Sequence, residues 1–344
     1  MHILITGGAG FIGSNLAEYH LAQGHRIHVV DDLSTGAIEN IEPFMDNPDF
    51  HFDHDDILTW DGLETTINWA DRIYHLAAVV GVFRVLEDPV RVMSINIAAT
   101  ERILKMAHAN SWRPQILLAS TSEVYGHGLQ CRKTCVPETT DLSEIGDRRH
   151  YRVEEFREDM EPMVGSSAVS RWNYSISKLA DEALGLSYAR QYGSPIVVAR
   201  FFNTIGPRQR GRYGMVVPRF INQAISGAPL TVFGDGKQMR SFCDVRDTVA
   251  SLNLLMDNPD SHGHIVNVGS NREVSILELA DLIRSLANSS SVIDFISYED
   301  AYQENFEETF RRKPNLDKFF RLTNYKHKWT LEDTIQDLIA TKRK

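Results

Sequence analysis

At 344 residues, with 42% hydrophobic and 24% charged side chains, the chain can build one large domain or two medium ones and needs no metal or disulfide staple to fold. A formal net charge of -10 argues against a nucleic-acid reader, which carries a basic face, although an acidic total can hide a local basic pocket. Three cysteines are too few for a disulfide framework, no apolar run approaches the about 20 residues that span a bilayer, and Met1 runs directly into a strand, so a cytoplasmic protein with free thiols is expected.

The apolar runs His2–Thr6, Ile27–Val30, Arg72–His75 and Gln115–Ala119 show little period-2 alternation, as expected of strands buried on both faces. Helical patterns such as Phe11–Ala22 and Pro89–Ala109 lie between them. This βαβα order predicts an α/β fold with a doubly wound parallel sheet of Rossmann type. Residues 127–170 are charged and poorly periodic, and read as an insertion of loop with room for a short helix. A helix resumes from Trp172 to about Tyr192, followed by a buried strand at Ile196–Ala199. After Gly206 the segments shorten, with turn signals at Gly234-Asp235-Gly236 and Asn258-Pro259. The expected division is residues 1–200, with the insertion, and a smaller interleaved α/β part over 201–344.

Gly7-Gly8-Ala9-Gly10-Phe11-Ile12-Gly13 sits between the first strand and the first helix. Gly7 suits the tight turn, Gly10 lets the backbone approach a pyrophosphate, and Gly13 allows close helix–strand packing. The helix that opens at Phe11 and Ile12 offers free N–H groups and a positive dipole end to phosphates. Asp31 ends the second strand, where a carboxylate accepts hydrogen bonds from an adenosine ribose and repels a 2′-phosphate. No arginine follows it in DLSTG, which favours NAD over NADP. Asp56 and Ile57 after the third strand are placed to border the adenine. His51, His54, Asp55 and Asp56 have the residue types of a metal site, but they lie at a strand end that should face the cofactor, so no metal is expected.

Tyr174 and Lys178 stand at i, i+4 near the start of a helix, on one face. A cation there, joined by an oxidised nicotinamide, is expected to lower the tyrosine pKa and make it a base toward a sugar hydroxyl. Thr121, in Ser120-Thr121-Ser122-Glu123, follows a strand at the carboxyl edge of the sheet and can hydrogen-bond the same hydroxyl.

Taken together, TGGAGFIGSNL, DDLSTG, HLAA at 75–78, TSEVYG, YSISK, FFNTIGPR, FGDGKQMRSFCDVRD and RRKP resemble the extended short-chain dehydrogenase/reductase family of nucleotide-sugar epimerases, dehydratases and decarboxylases, over nearly the whole chain. The resemblance implies a tightly held, recycled NAD. It implies that Tyr174 deprotonates the sugar 4-hydroxyl as hydride leaves C4, with Lys178 holding the nicotinamide ribose and Thr121 orienting the hydroxyl. It extends the cofactor contacts to Asp32, Leu76, Ala77, Ala78 and Asn96. Asn203, Arg208, Val217, Phe233, Gly234, Arg240 and Arg312 match substrate contacts, with UDP the best fit and dTDP or GDP as alternatives. It also implies a homodimer paired through helices 89–109 and 171–192.

The residues after Thr121 bear on the reaction. Dehydratases of this family carry Asp-Glu there and 4-epimerases usually a small residue in place of the Glu, whereas Ser122-Glu123 resembles UDP-glucuronate decarboxylases, as do SRWNYSISK and RRKPN. That reading makes Glu123 and Arg312 helpers in decarboxylation, with Glu123 positioning or protonating the sugar and Arg312 serving as a second acid or as the carboxylate anchor. The turn AAVVGVFR lacks the proline of decarboxylases, which leaves Arg84 as a candidate carboxylate cation and a 4-epimerase as the alternative. A non-catalytic NAD-binding regulator of this family usually lacks the Tyr or Lys; both are present.

Overall fold

The computed structural model describes residues 1–109, 113–131, 150–152, 154–211, 215–297, 300 and 311–343. Seven parallel strands form the central sheet: β1 (His2–Thr6), β2 (Arg26–Asp31), β3 (Phe50–His54), β4 (Arg72–His75), β5 (Gln115–Thr121), β6 (Ile196–Phe201) and β7 (His264–Val268). Their order is β7-β6-β5-β4-β1-β2-β3, with the chain reversing direction of growth between β1 and β4. Helices α1 (Phe11–Leu21), α2 (Leu63–Trp69), α3 (Val82–Glu87), α4 (Pro89–Ala109), α5 (Asn173–Tyr192), α6 (Val216–Ser226), α7 (Val245–Asp257) and α8 (Ile276–Leu286) accompany it.

The unbroken apolar runs have the predicted cause. Ile3 and Ile5 of β1, Val197 and Ala199 of β6 and Val266 and Val268 of β7 pack on one face with Leu16 of α1 and Leu252 of α7. Leu4, Ile73, Ile116, Leu118, Ile196 and Val198 pack on the other with Leu63 of α2 and Ile103 of α4. Two helical layers therefore cover the sheet, and each strand must be apolar on both sides. A second core joins Phe220 and Ile221 of α6, Leu279 and Ile283 of α8, Leu230 and Val232, and Ile335 from the helix Leu331–Lys342.

Within the region read as an insertion, Leu129–Cys131 pairs antiparallel with His150–Arg152; residues 132–149 lie outside the described residues. The returning limb is tied down. Gly126 bridges Met163 and Phe156 bridges Pro314. The Phe156 N–H donates to the Lys313 carbonyl at 2.8 Å, and its own carbonyl accepts from Asn315 N at 2.9 Å. Asn267 of β7 also donates to the Phe156 carbonyl, at 2.8 Å. This limb thereby seats the segment that contains Arg312.

Two buried imidazoles make the fold acid-sensitive. Burial, with His25 and Arg72 nearby, holds His20 at about 3, and burial, with Lys178 nearby, holds His75 at about 3, against an ordinary 6.5. Below about pH 6.5 the unfolded chain takes up these protons and the native state does not, so stability falls as pH drops toward 3. By pH 4.5 each site costs roughly 2–3 kcal/mol. Urea midpoints at pH 7 and pH 4.5 should differ accordingly; equal midpoints would show that these imidazoles do not control acid stability.

Candidate active site

A cleft of about 590 Å³ runs along the carboxyl ends of the strands, from the glycine turn to the second core. The glycine end has no room for side chains. Gly7 has φ +71, and a Cβ on it would lie 2.8 Å from the Ala77 nitrogen; a Cβ on Gly13 would lie 2.4 Å from the Gly7 carbonyl oxygen. Gly10 caps α1 without a side-chain acceptor, which leaves the first-turn N–H groups facing the cleft. Asp31 accepts from Ala9 N at 3.0 Å and Leu33 N at 2.8 Å, so it also fixes the glycine turn. Phe11, Ile12, Asp32, Asp56, Ile57, Leu76, Ala77 and Ala78 line the same end. A turn that admits backbone but no Cβ, an open helix N-terminus and a carboxylate at the end of β2 fit a dinucleotide. Asn96 does not line the cleft. It is fully buried, accepts from Val79 N at 2.8 Å and donates to Ser177 Oγ at 3.1 Å, which clamps the turn after β4 to α5.

The catalytic candidates converge farther along. Thr121 ends β5, accepts from Glu123 N at 3.2 Å and hydrogen-bonds the Tyr174 hydroxyl. The Tyr174 ring packs against Val79, Val85 and Val92. Glu123 lies between two guanidinium groups: Arg171 Nη2 donates to it at 2.7 Å, and Arg312 Nη1 donates to its other oxygen. Burial alone would raise this carboxyl, but the two arginines win and hold it at about 2. The two arginines therefore favour Glu123 as an ionised acceptor at neutral pH, a state that suits positioning more than proton donation.

Lys178 by itself does not give the lowering of the Tyr174 pKa expected from the lysine and oxidised nicotinamide together. The Tyr174 hydroxyl is pushed up, first by burial and then by the Glu123 charge, with Thr121 pulling the other way. Lys178 donates instead to Asp181 at 3.0 Å.

Toward the second core the cleft turns basic. Arg171, Arg208, Arg210, Arg219, Arg240 and Arg312 all line it, so arginines gather at this end in spite of the acidic total. Arg240 and Arg312 stand in register on the parallel strands Met239–Ser241 and Arg311–Arg312. Arg208 holds Glu18 at 2.7 Å, while its Nη1 is buried with no partner among the described residues. Ser122, Asn203, Val217 and Phe233 also line the wall, and Arg219 stacks 4.1 Å from the Phe233 ring centroid. Gly234 lies outside the lining, with φ 67 and its N–H bound to the Ile296 carbonyl.

Arg84 is turned elsewhere, onto the Ser34 carbonyl at 2.6 Å. Arg171 is the cation beside Glu123 that sequence reasoning missed. Its available signal was the SRWNYSISK segment, which places it three residues before Tyr174. The histidines and aspartates 51–56 do not gather as a group. Among the described residues His28, His51 and Asp53 do, on β2 and the edge strand β3, where His28 and Asp53 already hydrogen-bond at 2.8 Å.

Residues 3–269 match the NAD dependent epimerase/dehydratase family. The chain is 36% identical to a UDP-N-acetyl-alpha-D-glucosaminuronate decarboxylase of Bacillus cytotoxicus, covering 98% of this chain and 96% of that protein. It is 34% identical to UDP-glucuronic acid decarboxylase 1 of Xenopus tropicalis, covering 99% and 72%. The crystal structure of a Bacillus cereus UDP-glucuronic acid 4-epimerase in complex with UDP-glucuronic acid and NAD superposes with a TM-score of 0.82 at 27% identity, covering 99% and 100%. A glycine turn closed to side chains, a threonine–tyrosine–lysine set at the sheet edge and this match over most of the chain agree: the protein is an NAD-dependent enzyme of the epimerase/dehydratase family.

Proposed function

We propose that the protein decarboxylates a UDP-hexuronate to a UDP-pentose through a 4-keto sugar. The observation that carries this reading is the Arg171–Glu123–Arg312 cluster beside Tyr174. Two guanidinium groups gathered on one carboxylate beside the tyrosine suit recognition of a sugar carboxylate, a group with no counterpart on a neutral hexose. The relatives named as decarboxylases support it.

Tyr174, once ionised, takes the proton of the sugar 4-hydroxyl, and Thr121 orients that hydroxyl. NAD bound at the glycine end would accept the C4 hydride and later return it. With a ketone at C4, the electrons of the C5–C6 bond flow into the carbonyl as carbon dioxide leaves. Arg171 and Arg312 hold the carboxylate in line, and Glu123 fixes both arginines. C5 is then protonated, by Arg312 or by water.

Residues 201–344 supply the nucleotide-sugar half, with Arg208 and Arg240 toward the diphosphate and Val217 and Phe233 toward the uracil. Incubation with UDP-glucuronate and with its 2-acetamido counterpart should release carbon dioxide and give a UDP-pentose by NMR. A 4-epimerase of UDP-uronates is the second reading. The apolar turn Val79-Val80-Gly81 in the cleft wall and the epimerase superposition favour it. Interconversion of 4-epimers without carbon dioxide would establish it over the first.

We place the enzyme in the cytoplasm as a homodimer. Among the described residues no helix is long and apolar enough to cross a membrane. Helices α4 and α5 pack together, and Val90, 74% exposed, and Tyr192 remain on their surface. Pairing across a two-fold axis would cover these helices. Light scattering at micromolar concentration should give twice the chain mass; a monomer would contradict it.

A further inference from the structure

Lys178 has a partner of opposite charge within its own helix. Its Nζ lies 3.0 Å from Oδ2 of Asp181, and both side chains are 3% exposed. An ammonium this dry is stable only against an opposite charge. Thr100 of α4 lies beside Asp181, with its hydroxyl donating to the Asn96 carbonyl at 3.1 Å. The Thr100 hydroxyl meets His75 Nε2 at 3.2 Å, and His75 Nδ1 meets the Thr6 hydroxyl at 2.8 Å. That hydroxyl in turn accepts from Ala77 N at 3.2 Å. The Lys178–Asp181 pair thus lies next to a buried polar chain, Thr100–His75–Thr6, that reaches the turns after β1 and β4 at the cofactor end of the cleft. Burial and Lys178 keep His75 neutral, so Asp181 is the charge that answers Lys178.

The groups around Tyr174 come from several elements. Thr121 ends β5, Glu123 follows it, Arg171 precedes α5, and Arg312 comes from the strand Arg311–Arg312. Lys178 and Asp181 lie along α5, and His75 ends β4. Both arginines are engaged by Glu123 and the lysine by Asp181.

We infer that Asp181 is a positioning residue: it fixes Lys178 and offsets its charge, so that ionisation of Tyr174 depends on the positive charge of oxidised NAD in the cleft. This role rests on Tyr174 being the base, as proposed above. Ionisation can be read without any sugar, so its outcome is separate from the identity of the substrate.

In NAD-loaded protein the near-ultraviolet tyrosinate band, taken as the difference between a protein and its Tyr174→Phe counterpart, gives the Tyr174 titration midpoint. Asp181→Asn should lower that midpoint by about one unit or more, because the lysine charge is uncovered. Asp181→Glu should leave it near the wild-type position. An unchanged midpoint in folded Asp181→Asn overturns the assignment, since a purely structural aspartate would leave tyrosine ionisation alone. Asp181→Asn strands a buried ammonium and can unfold, so the wild-type protein supplies the second measurement. Its midpoint with oxidised NAD should lie at least about one unit below that with NADH; equal midpoints overturn the dependence on cofactor charge.

Discussion

Tyr174→Phe lowers turnover by about 10²-fold or more while nucleotide and NAD binding stay near normal. The substitution deletes one hydroxyl and its hydrogen bond to Thr121, and leaves the ring seated on Val79, Val85 and Val92. Burial and Glu123 make that hydroxyl hard to ionise in the protein alone, so any base activity it has must be induced in the loaded site. Initial rates with a UDP-hexuronate, beside calorimetry with UDP and NAD, separate the two effects. Near-normal turnover in Tyr174→Phe would remove the tyrosine from the mechanism.

Glu123→Gln should cut pentose formation by about 10²-fold or more while reduced cofactor still appears on adding UDP-glucuronate. In the proposed mechanism oxidation at C4 uses Tyr174, Thr121 and Lys178, all retained, and loss of the Glu123 charge eases rather than hinders ionisation of Tyr174. In the proposed mechanism loss of carbon dioxide uses the two arginines held by Glu123. The neutral amide also leaves two buried guanidinium groups without their shared anion, and losing the partner of a buried charge costs up to about 3–5 kcal/mol. A ligand carboxylate can replace that anion. UDP-glucuronate should therefore raise the melting temperature of Glu123→Gln more than UDP-glucose does. Equal protection by the two ligands, or pentose formation at the wild-type rate, would remove the cluster from the decarboxylation step.

The sheet was legible because a strand covered by helices on both faces has to be apolar throughout, as Ile3, Leu4 and Ile5 are. The observed strands begin or end within a residue or two of the runs read from sequence, and α4 spans Pro89–Ala109 as expected. The glycine turn was legible for a related reason: Gly7 and Gly13 have backbone where a Cβ would be. The charge pairs were less so. Glu123 meets Arg171 across 48 positions and Arg312 across 189, and no local pattern joins such partners. The spacing of Tyr174 and Lys178 shows only that they share a helix face. Asp181, three residues beyond Lys178, shares it too, and burial favours the charged partner over the neutral phenol.

The contact between Phe156 and the strip Lys313–Asn315 links regions far apart in the chain. Arg312, one residue before that strip, reaches the cleft from a strand paired with Met239–Ser241 in the C-terminal half, while the strip itself is fixed by Phe156 of the N-terminal half. The two halves are therefore poor units of exchange. A chimera that joins residues 1–200 of one relative to the C-terminal half of another would bring its own counterpart of Arg312 but not the Phe156 contact beside it. Recombination that carries residues 154–164 together with 311–315 keeps aim and charge matched, and libraries built to alter the sugar accepted by this scaffold should move those two segments as one.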